Sequence, residues 1–240
     1  MEATTAIRLL TLNRQFYAQF GAAFSVTRRR IQPGVRRILG TISPDETILD
    51  LGCGNGELAR QLARRGHRAP YLGLDFSLSV LGDARRVPDG FPARFLHVDL
   101  TSTNWDEGIR DSGYWSLVTA FAVLHHVPSA HLRLNILKKV HQLLAPAGRF
   151  IHSEWQFLNS PRLRARVQPW ERIGLTGRDV DTGDYLLDWR RGGEGLRYVH
   201  HFDEAELAEL AVASGFRAAE TFYSDGENGR LGMYQIWQKA

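Results

Sequence analysis

The sequence predicts an α/β fold in which a mostly parallel sheet is covered by helices on both faces. Three observations predict it. Apolar runs of strand length alternate with helical segments from Thr47 onward, the first run passes into the glycine turn Gly52-Cys-Gly-Asn-Gly56, and acids close successive runs at Asp50, Asp75 and Asp99. Such alternation is the pattern of crossover units, which need helices on both sides of the sheet.

The elements follow in order. Residues 5 to 40 read as helical, because Leu9, Leu10, Leu12, Phe16, Phe20 and Phe24 return at steps near three and four, and Pro33 suits the start of a second segment that reaches Leu39. Strand 47–51, helix 56–65, strand 70–74, helix 77–86, strands 94–98 and 115–121, helix 130–144 and strand 148–154 come next. Pro146-Ala-Gly148 breaks the helix that ends at Leu144 and turns the chain into a strand from Arg149. Residues 156–200, with Pro161, Pro169 and several glycines, read as an insertion of short elements, placed where a substrate lid is useful. A last helix over 203–214 has Asp203 as N-cap, Glu206 three positions on and Gly215 to close it. Two final strands, 217–224 and 231–238, are joined by the turn-rich Asp225-Gly-Glu-Asn-Gly229.

At 240 residues the chain is long enough for one well-buried domain. The expected organisation is a helical cap over 1–43 and a main domain over 44–240 that carries the 156–200 lid. Hydrophobic content of 43% and charge of 23% are ordinary, and no uncharged apolar stretch is long enough to span a bilayer. The first residues lack the basic flank and apolar core of a secretion signal, so a cytoplasmic location is expected. A single cysteine, Cys53, permits no internal disulfide and reads as a small packing residue in the glycine turn. Net charge is only +4, yet arginines cluster at Arg28, Arg29, Arg30, Arg36 and Arg37 and again at Arg162, Arg164, Arg166 and Arg172. Those clusters fit either a phosphate footprint or two solvated helix faces.

Gly52, Gly54 and Gly56 can adopt backbone angles barred to other residues and let a ligand lie against the main chain, with the N-H groups of the following helix aimed at it. That spacing alone fits a dinucleotide site as well. The acids separate the two readings. Asp50 lies inside the strand end, where it would face a pyrophosphate but would welcome an ammonium; Asp75 can accept from ribose hydroxyls, and Asp99 from an adenine amino group. Together they suit S-adenosyl-L-methionine. Residues 44–155 here resemble the class I methyltransferase family. The resemblance implies a Rossmann-like seven-stranded sheet with an antiparallel C-terminal hairpin, an N-terminal helical cap and an insertion after the fifth strand. It also implies cofactor contacts from Asn55, Phe76, Ser77, Leu100, Ala120 and Phe121, with Tyr17 closing over the cofactor.

A second resemblance concerns the acceptor. Phe16-Tyr-Ala-Gln-Phe-Gly-Ala-Ala-Phe24 with Thr27-Arg28, then His125-His126 with Ser129 and Arg133, and finally Gly183-Asp-Tyr-Leu186, Arg197-Tyr-Val-His200 and Phe202 are similar to the eukaryotic tRNA wobble-uridine carboxymethyl methyltransferases. That family implies tRNA as substrate, methylation of the carboxylate of 5-carboxymethyluridine, and a small zinc-binding activator protein as a partner of its eukaryotic members. The chain departs from the pattern at Pro146-Ala-Gly148, where Pro-Gly-Gly is expected, and at Asp225-Gly-Glu-Asn228, which lacks a tryptophan. These departures keep two alternatives open: a small-molecule O- or N-methyltransferase, and a non-catalytic cofactor-binding subunit. No Asn-Pro-Pro-Tyr or Asp-Pro-Pro-Tyr is present, which disfavours exocyclic amines as acceptors.

A carboxylate is already anionic, so its methylation needs orientation rather than a general base. Arg28, Arg197, Tyr198 and His200 are the residues expected to clamp it, and His126 would act as base if the acceptor were a nitrogen or hydroxyl. One of His125 and His126 is expected at the acceptor while the other packs. Trp155, Trp170 and Trp189 could stack a base or form the lid's own core, and no metal-ligand cluster is evident.

Overall fold

A computed structural model describes residues 1–27, 30–110 and 113–240. Strands β1 (Ile48–Leu51), β2 (Tyr71–Asp75), β3 (Ala93–His97), β4 (Trp115–Phe121) and β5 (Leu144–Trp155) form parallel neighbours in a seven-stranded sheet. Its order is β3-β2-β1-β4-β5-β10-β9, with β10 (Gly232–Lys239) antiparallel between β5 and the edge strand β9 (Phe216–Ser224). The expected class I sheet with its C-terminal hairpin is therefore present. The strand order reverses direction between β1 and β4, which opens a crevice at the C-terminal ends of the strands.

Each face of the sheet buries its own layer. On one, Leu49, Leu72, Leu74 and Val118 pack with helices α5 (Ala130–Leu143) and α7 (Glu204–Ala213) through Ile136, Leu137, Val140, Leu207 and Leu210. On the other, Ile48, Tyr71, Leu117 and Ile151 pack with α2 (Pro33–Leu39), α3 (Glu57–Arg64) and α4 (Leu78–Ala84). The alternation of Ile48 and Leu49 between the two layers is the period-two signature of a strand covered on both sides. Asp203 caps α7 by accepting from Glu206 N at 2.8 Å, as its spacing predicts.

One segment differs from the sequence reading. Pro146-Ala-Gly148 does not precede β5 but lies inside it: the strand starts at Leu144, pairs with Trp115, and resumes in shifted register at Leu117 with Arg149. A bulge absorbs the proline, which cannot donate to a regular ladder. After β5, residues 156–200 form a second sheet, β6 (Val167–Gln168), β7 (Asp184–Trp189) and β8 (Gly195–His200), all antiparallel, preceded by the short helix α6 (Pro161–Arg164). The long N-terminal helix α1 (Ala3–Thr27) packs against β8, burying Phe16, Tyr17 and Phe20 with Trp189 and Leu9 with Leu175 and Tyr198.

A polar cluster anchors this second sheet to the main one. Asp184 Oδ1 accepts from the Tyr198 hydroxyl at 2.6 Å and contacts His200 Nδ1 at 2.7 Å; His200 Nε2 lies 2.8 Å from Glu206, whose other contact is Arg133 at 3.2 Å. Asp184, Arg133, Tyr198 and His200 are all buried. Desolvation opposes a charged His200, but Asp184 and Glu206 outweigh it and raise its pKa above 6.5, with Arg133 the opposing cation. A histidine whose folded pKa is raised adds stability that is complete below its unfolded pKa and is lost as pH rises through the folded value. Urea midpoints measured from pH 5.5 to 9 should therefore fall more steeply on the alkaline side for the parent chain than for His200→Gln. Parallel profiles would show that His200 stays neutral in this cluster.

Candidate functional site

The glycine turn divides its labour. Gly52 (φ 64°), Gly54 (φ 55°) and Gly56 (φ 75°) all take left-handed angles. A Cβ on Gly56 would stand 2.8 Å from the Ala84 backbone and one on Gly52 2.5 Å from Val123 Cγ2, so these two glycines permit close packing of α4 and of the segment after β4. A Cβ on Gly54 meets nothing within 4 Å, because its face opens onto a cavity. Asp75 Oδ2 accepts from Gly54 N at 2.9 Å and Oδ1 from Ser77 N at 2.8 Å, which fixes the carboxyl beside the turn while burial raises its pKa. Each oxygen keeps a lone pair for a further donor.

Asp50 is buried one strand away. It accepts from the Tyr71 hydroxyl at 2.5 Å and from Thr119 Oγ1 at 2.7 Å, yet desolvation pushes its pKa up to about 6. A carboxylate in that state is stabilised by a cation brought to it. Cys53, between Gly52 and Gly54, has its thiol pKa driven upward by burial, which removes it as a nucleophile near neutral pH.

The cavity, about 670 Å³, runs along the C-terminal ends of the parallel strands under α1. Asp50, Gly52, Gly54, Asn55, Asp75, Phe76 and Ser77 line one half, continuing to Asp99 and Leu100. Asp99 holds Thr101 N at 2.9 Å and Thr101 Oγ1 at 2.7 Å and pairs with Arg14 of α1. Desolvation opposes its charge, but the Thr101 and Arg14 contacts win and lower its pKa. Tyr17 roofs this half, its ring edge-on to Phe76 at 5.5 Å and its hydroxyl 3.0 Å from His126 Nε2. A ligand with an ammonium for Asp50, hydroxyls for Asp75 and a flat ring toward Asp99 fits the open face at Gly54. These are the groups of S-adenosyl-L-methionine.

The other half is cationic and aromatic. Arg197, 5% exposed, lies over Trp155 at 4.8 Å and Trp189 at 5.9 Å, and all three line the cavity. Arg30, Arg162, Arg166 and Arg191 also line the cavity, all more exposed than Arg197, and no described carboxylate forms an ion pair with any of them. His126 also lines the wall, whereas His125 is buried with its Nδ1 3.0 Å from Glu154 Oε2. Burial raises the pKa of Glu154, and His152 on its other oxygen is lowered to about 3 by desolvation. Among the described residues, no cluster of three or more metal-ligating side chains forms and no helix is long and apolar enough to cross a membrane.

Three expectations from the sequence change. Tyr198 and His200 do not reach the acceptor: they are buried in the Asp184–Glu206 cluster, on the face of β8 opposite Arg197. Ala120 faces the hydrophobic core, and Phe121, Ala122 and Val123 line the cavity in its stead. Gly56 is a packing glycine behind the wall. Trp170 packs with Leu9 and Tyr198, away from the cavity, which is the lid-core alternative of the sequence reading. Arg28 lies outside the described residues. The sequence reading missed Asn13, Arg14 and Arg191; the first two sit on a helix whose polar face carries no motif, and Arg191 follows the strand end at Trp189 with no distinctive spacing.

Comparison with known proteins accords with this geometry. A family model described as a methyltransferase domain matches residues 24–221. A methyltransferase of Encephalitozoon cuniculi is 28% identical over 211 residues, covering 86% of this chain and 87% of that protein. The trans-aconitate 2-methyltransferase of Deinococcus radiodurans is 33% identical over 141 residues, covering 58% of this chain and 47% of that protein. The tRNA (carboxymethyluridine(34)-5-O)-methyltransferase of Macaca fascicularis is 26% identical over 151 residues, covering 59% of this chain but 19% of that much longer protein. Among solved structures, a SAM-dependent methyltransferase of Methanosarcina mazei superposes with a TM-score of 0.64 at 23% identity, covering 87% of this chain and 98% of that one, which is a likeness of fold. With a glycine turn, three strand-end acids and a family match over most of its length, the chain belongs to the methyltransferase-domain family and is an S-adenosyl-L-methionine-dependent methyltransferase of class I fold.

Proposed function

We propose that this enzyme methylates a carboxylate oxygen, and that the carboxylate is carried by a modified tRNA wobble uridine of the 5-carboxymethyluridine type. The observation that carries the reading is the cationic and aromatic part of the cavity lining: buried Arg197 is held among aromatic rings, and the more exposed Arg30, Arg162, Arg166 and Arg191 line the same cavity. An arginine fork suits a carboxylate near the donor, and further arginines around the opening suit phosphates. Trp155 and Trp189 offer faces on which a base can stack. The names of two relatives point the same way, since one acts on carboxymethyluridine in tRNA and the other on trans-aconitate, an organic acid. The second of these supports the alternative of a small anionic acceptor.

Bound S-adenosyl-L-methionine supplies a methyl group on a sulfonium, and a carboxylate oxygen takes that methyl in line as the carbon–sulfur bond breaks, leaving a neutral ester and a thioether. The residues have three tasks. Asp50, Asp75 and the open Gly54 face bind and orient the donor. Arg197 orients the acceptor, and its stacking on Trp155 shares its charge with a ring face, so one carboxylate oxygen stays nucleophilic. The Trp155 and Trp189 rings exclude water from a reaction in which opposite charges cancel. No proton has to move, so His126 and Tyr17 serve as wall rather than base.

The donor half can be tested without an acceptor. Asp75→Ala should weaken binding of S-adenosylhomocysteine by about 1–3 kcal/mol in calorimetry, the worth of hydrogen bonds to a charged group; an unchanged dissociation constant would mean that the ribose lies elsewhere. An ammonium favours the ionised form of Asp50, whose pKa is about 6 before binding. Affinity should therefore rise with pH from 5 to 7, by up to about tenfold per unit below pH 6, and level off above it. Asp50→Asn should flatten that profile, and a slope equal to the parent's would assign the proton to another group. For the acceptor, labelled S-adenosyl-L-methionine should transfer its methyl to tRNA bearing 5-carboxymethyluridine, and Arg197→Gln should lower kcat/KM by about 10- to 100-fold with the S-adenosylhomocysteine dissociation constant held within threefold, as expected for a lost charge-assisted contact. Transfer to a small organic acid with none to the tRNA would replace the substrate and leave the donor site standing.

A further inference from the structure

One buried carboxamide joins the three walls of the acceptor cavity. Asn13, on α1, is 4% exposed and lines the cavity. Its Nδ2 donates to the His126 carbonyl at 3.1 Å and to the Tyr198 carbonyl at 3.1 Å, and its Oδ1 accepts from Tyr198 N at 2.9 Å. Both amide hydrogens and the oxygen are thus used, on two segments 72 residues apart in the chain that have no sequence relation to α1. Tyr198 is the neighbour of Arg197 on β8, and the side chain of Asn13 engages both its N-H and its C=O, as a paired strand would. Four residues on, and so on the same face of α1, Tyr17 holds the ring of His126. The helix therefore grips the turn after β4 twice, through its backbone and through its imidazole, and grips β8 through the residue beside the arginine.

We propose that Asn13 is a positioning residue for methyl transfer: its carboxamide locks the Arg197 strand and the His126 turn to α1 in one register, so that acceptor clamp and donor roof are set as a single body. The proposal rests on the reading of Arg197 as the acceptor clamp. Loss of the carboxamide leaves one N-H and two carbonyls buried in unmet need, and frees β8 to shift along α1. A displacement of about 1 Å at a reacting centre is enough to cost on the order of 100-fold in rate. Asn13 touches no reacting atom in this scheme, and its effect passes through Arg197.

Asn13→Ala and Asn13→Asp decide the matter by hydrogen exchange of the S-adenosylhomocysteine-saturated proteins and, separately, by kinetics with S-adenosyl-L-methionine. In Asn13→Ala, amides of residues 124–127 and of 195–200 should both exchange at least tenfold faster, with β1, β2 and β4 unchanged and the S-adenosylhomocysteine dissociation constant within threefold. With tRNA carrying 5-carboxymethyluridine, kcat should fall at least tenfold. The aspartate variant guards against a misfolded alanine variant. Its protonated carboxyl still donates once and accepts once, so protection relative to the parent at the same pH should be better at pH 5 than at pH 8. Faster exchange in only one of the two segments, uniform loss of protection across the sheet, or kcat within twofold of the parent would each overturn the proposal. Should the parent enzyme leave the tRNA unmethylated, the acceptor reading falls by itself, and the exchange pattern decides the coupling alone.

Discussion

Parallel strand pairing is the constraint on which everything else in the molecule depends. Because β3, β2, β1, β4 and β5 run the same way, their C-terminal ends all arrive at one edge, and the polar residues that finish each strand are gathered there although they lie far apart in the chain. Asp50, Asp75, Val123 and Trp155 become neighbours of one cavity for this reason alone. The same pairing forces the crossovers to cover both faces, so a carboxylate at a strand end is buried by its own scaffold. Asp50 shows the consequence: two hydrogen bonds do not offset its desolvation, and its pKa stays near 6 until a cation arrives. The fold thus stores a binding preference in the cost of burying a charge.

The donor half was legible in the sequence because its signals are local and physical. Left-handed glycines in a turn after an apolar run, and an acid ending the next run, have few other uses, and Gly54 and Asp75 meet across one hydrogen bond as that pattern implies. The acceptor half was legible only in part, and β8 shows why. Arg197, Tyr198 and His200 looked like one cluster in the sequence, but a strand sends neighbouring residues to opposite faces. Arg197 therefore meets Trp155 at the cavity, while Tyr198 and His200 meet Asp184 on the far side. Read only as an insertion of short elements, the segment gave no such division; Gly192 and Gly193 precede β8 and Gly195 opens it, so the start of the strand carries no side-chain pattern. Asn13 was illegible for a different reason. Its partners are backbone groups, which leave no trace in the identity of any side chain.

The two halves of the cavity carry opposite charge, and this asymmetry bears on how the site manages both reactants. Asp50, Asp75 and Asp99 line the part of the cavity suited to a cationic donor, and under the proposed function the arginines would meet an anionic acceptor, so each reactant would exchange its water for a preorganised partner of opposite sign. Asp99 is paired with Arg14, whereas Asp75 and Glu154 have other commitments: Asp75 is held by Gly54 N and Ser77 N, and Glu154 is held by His125 and His152. Glu154 is the revealing case, since it stands next to Trp155 on the acceptor wall, where a free carboxylate would repel an acid substrate. Burial favours its neutral form, and both its oxygens are turned to histidines behind the wall. With both oxygens of Glu154 committed to histidines, Arg197 and the more exposed arginines are the charges that the proposed anionic acceptor would meet.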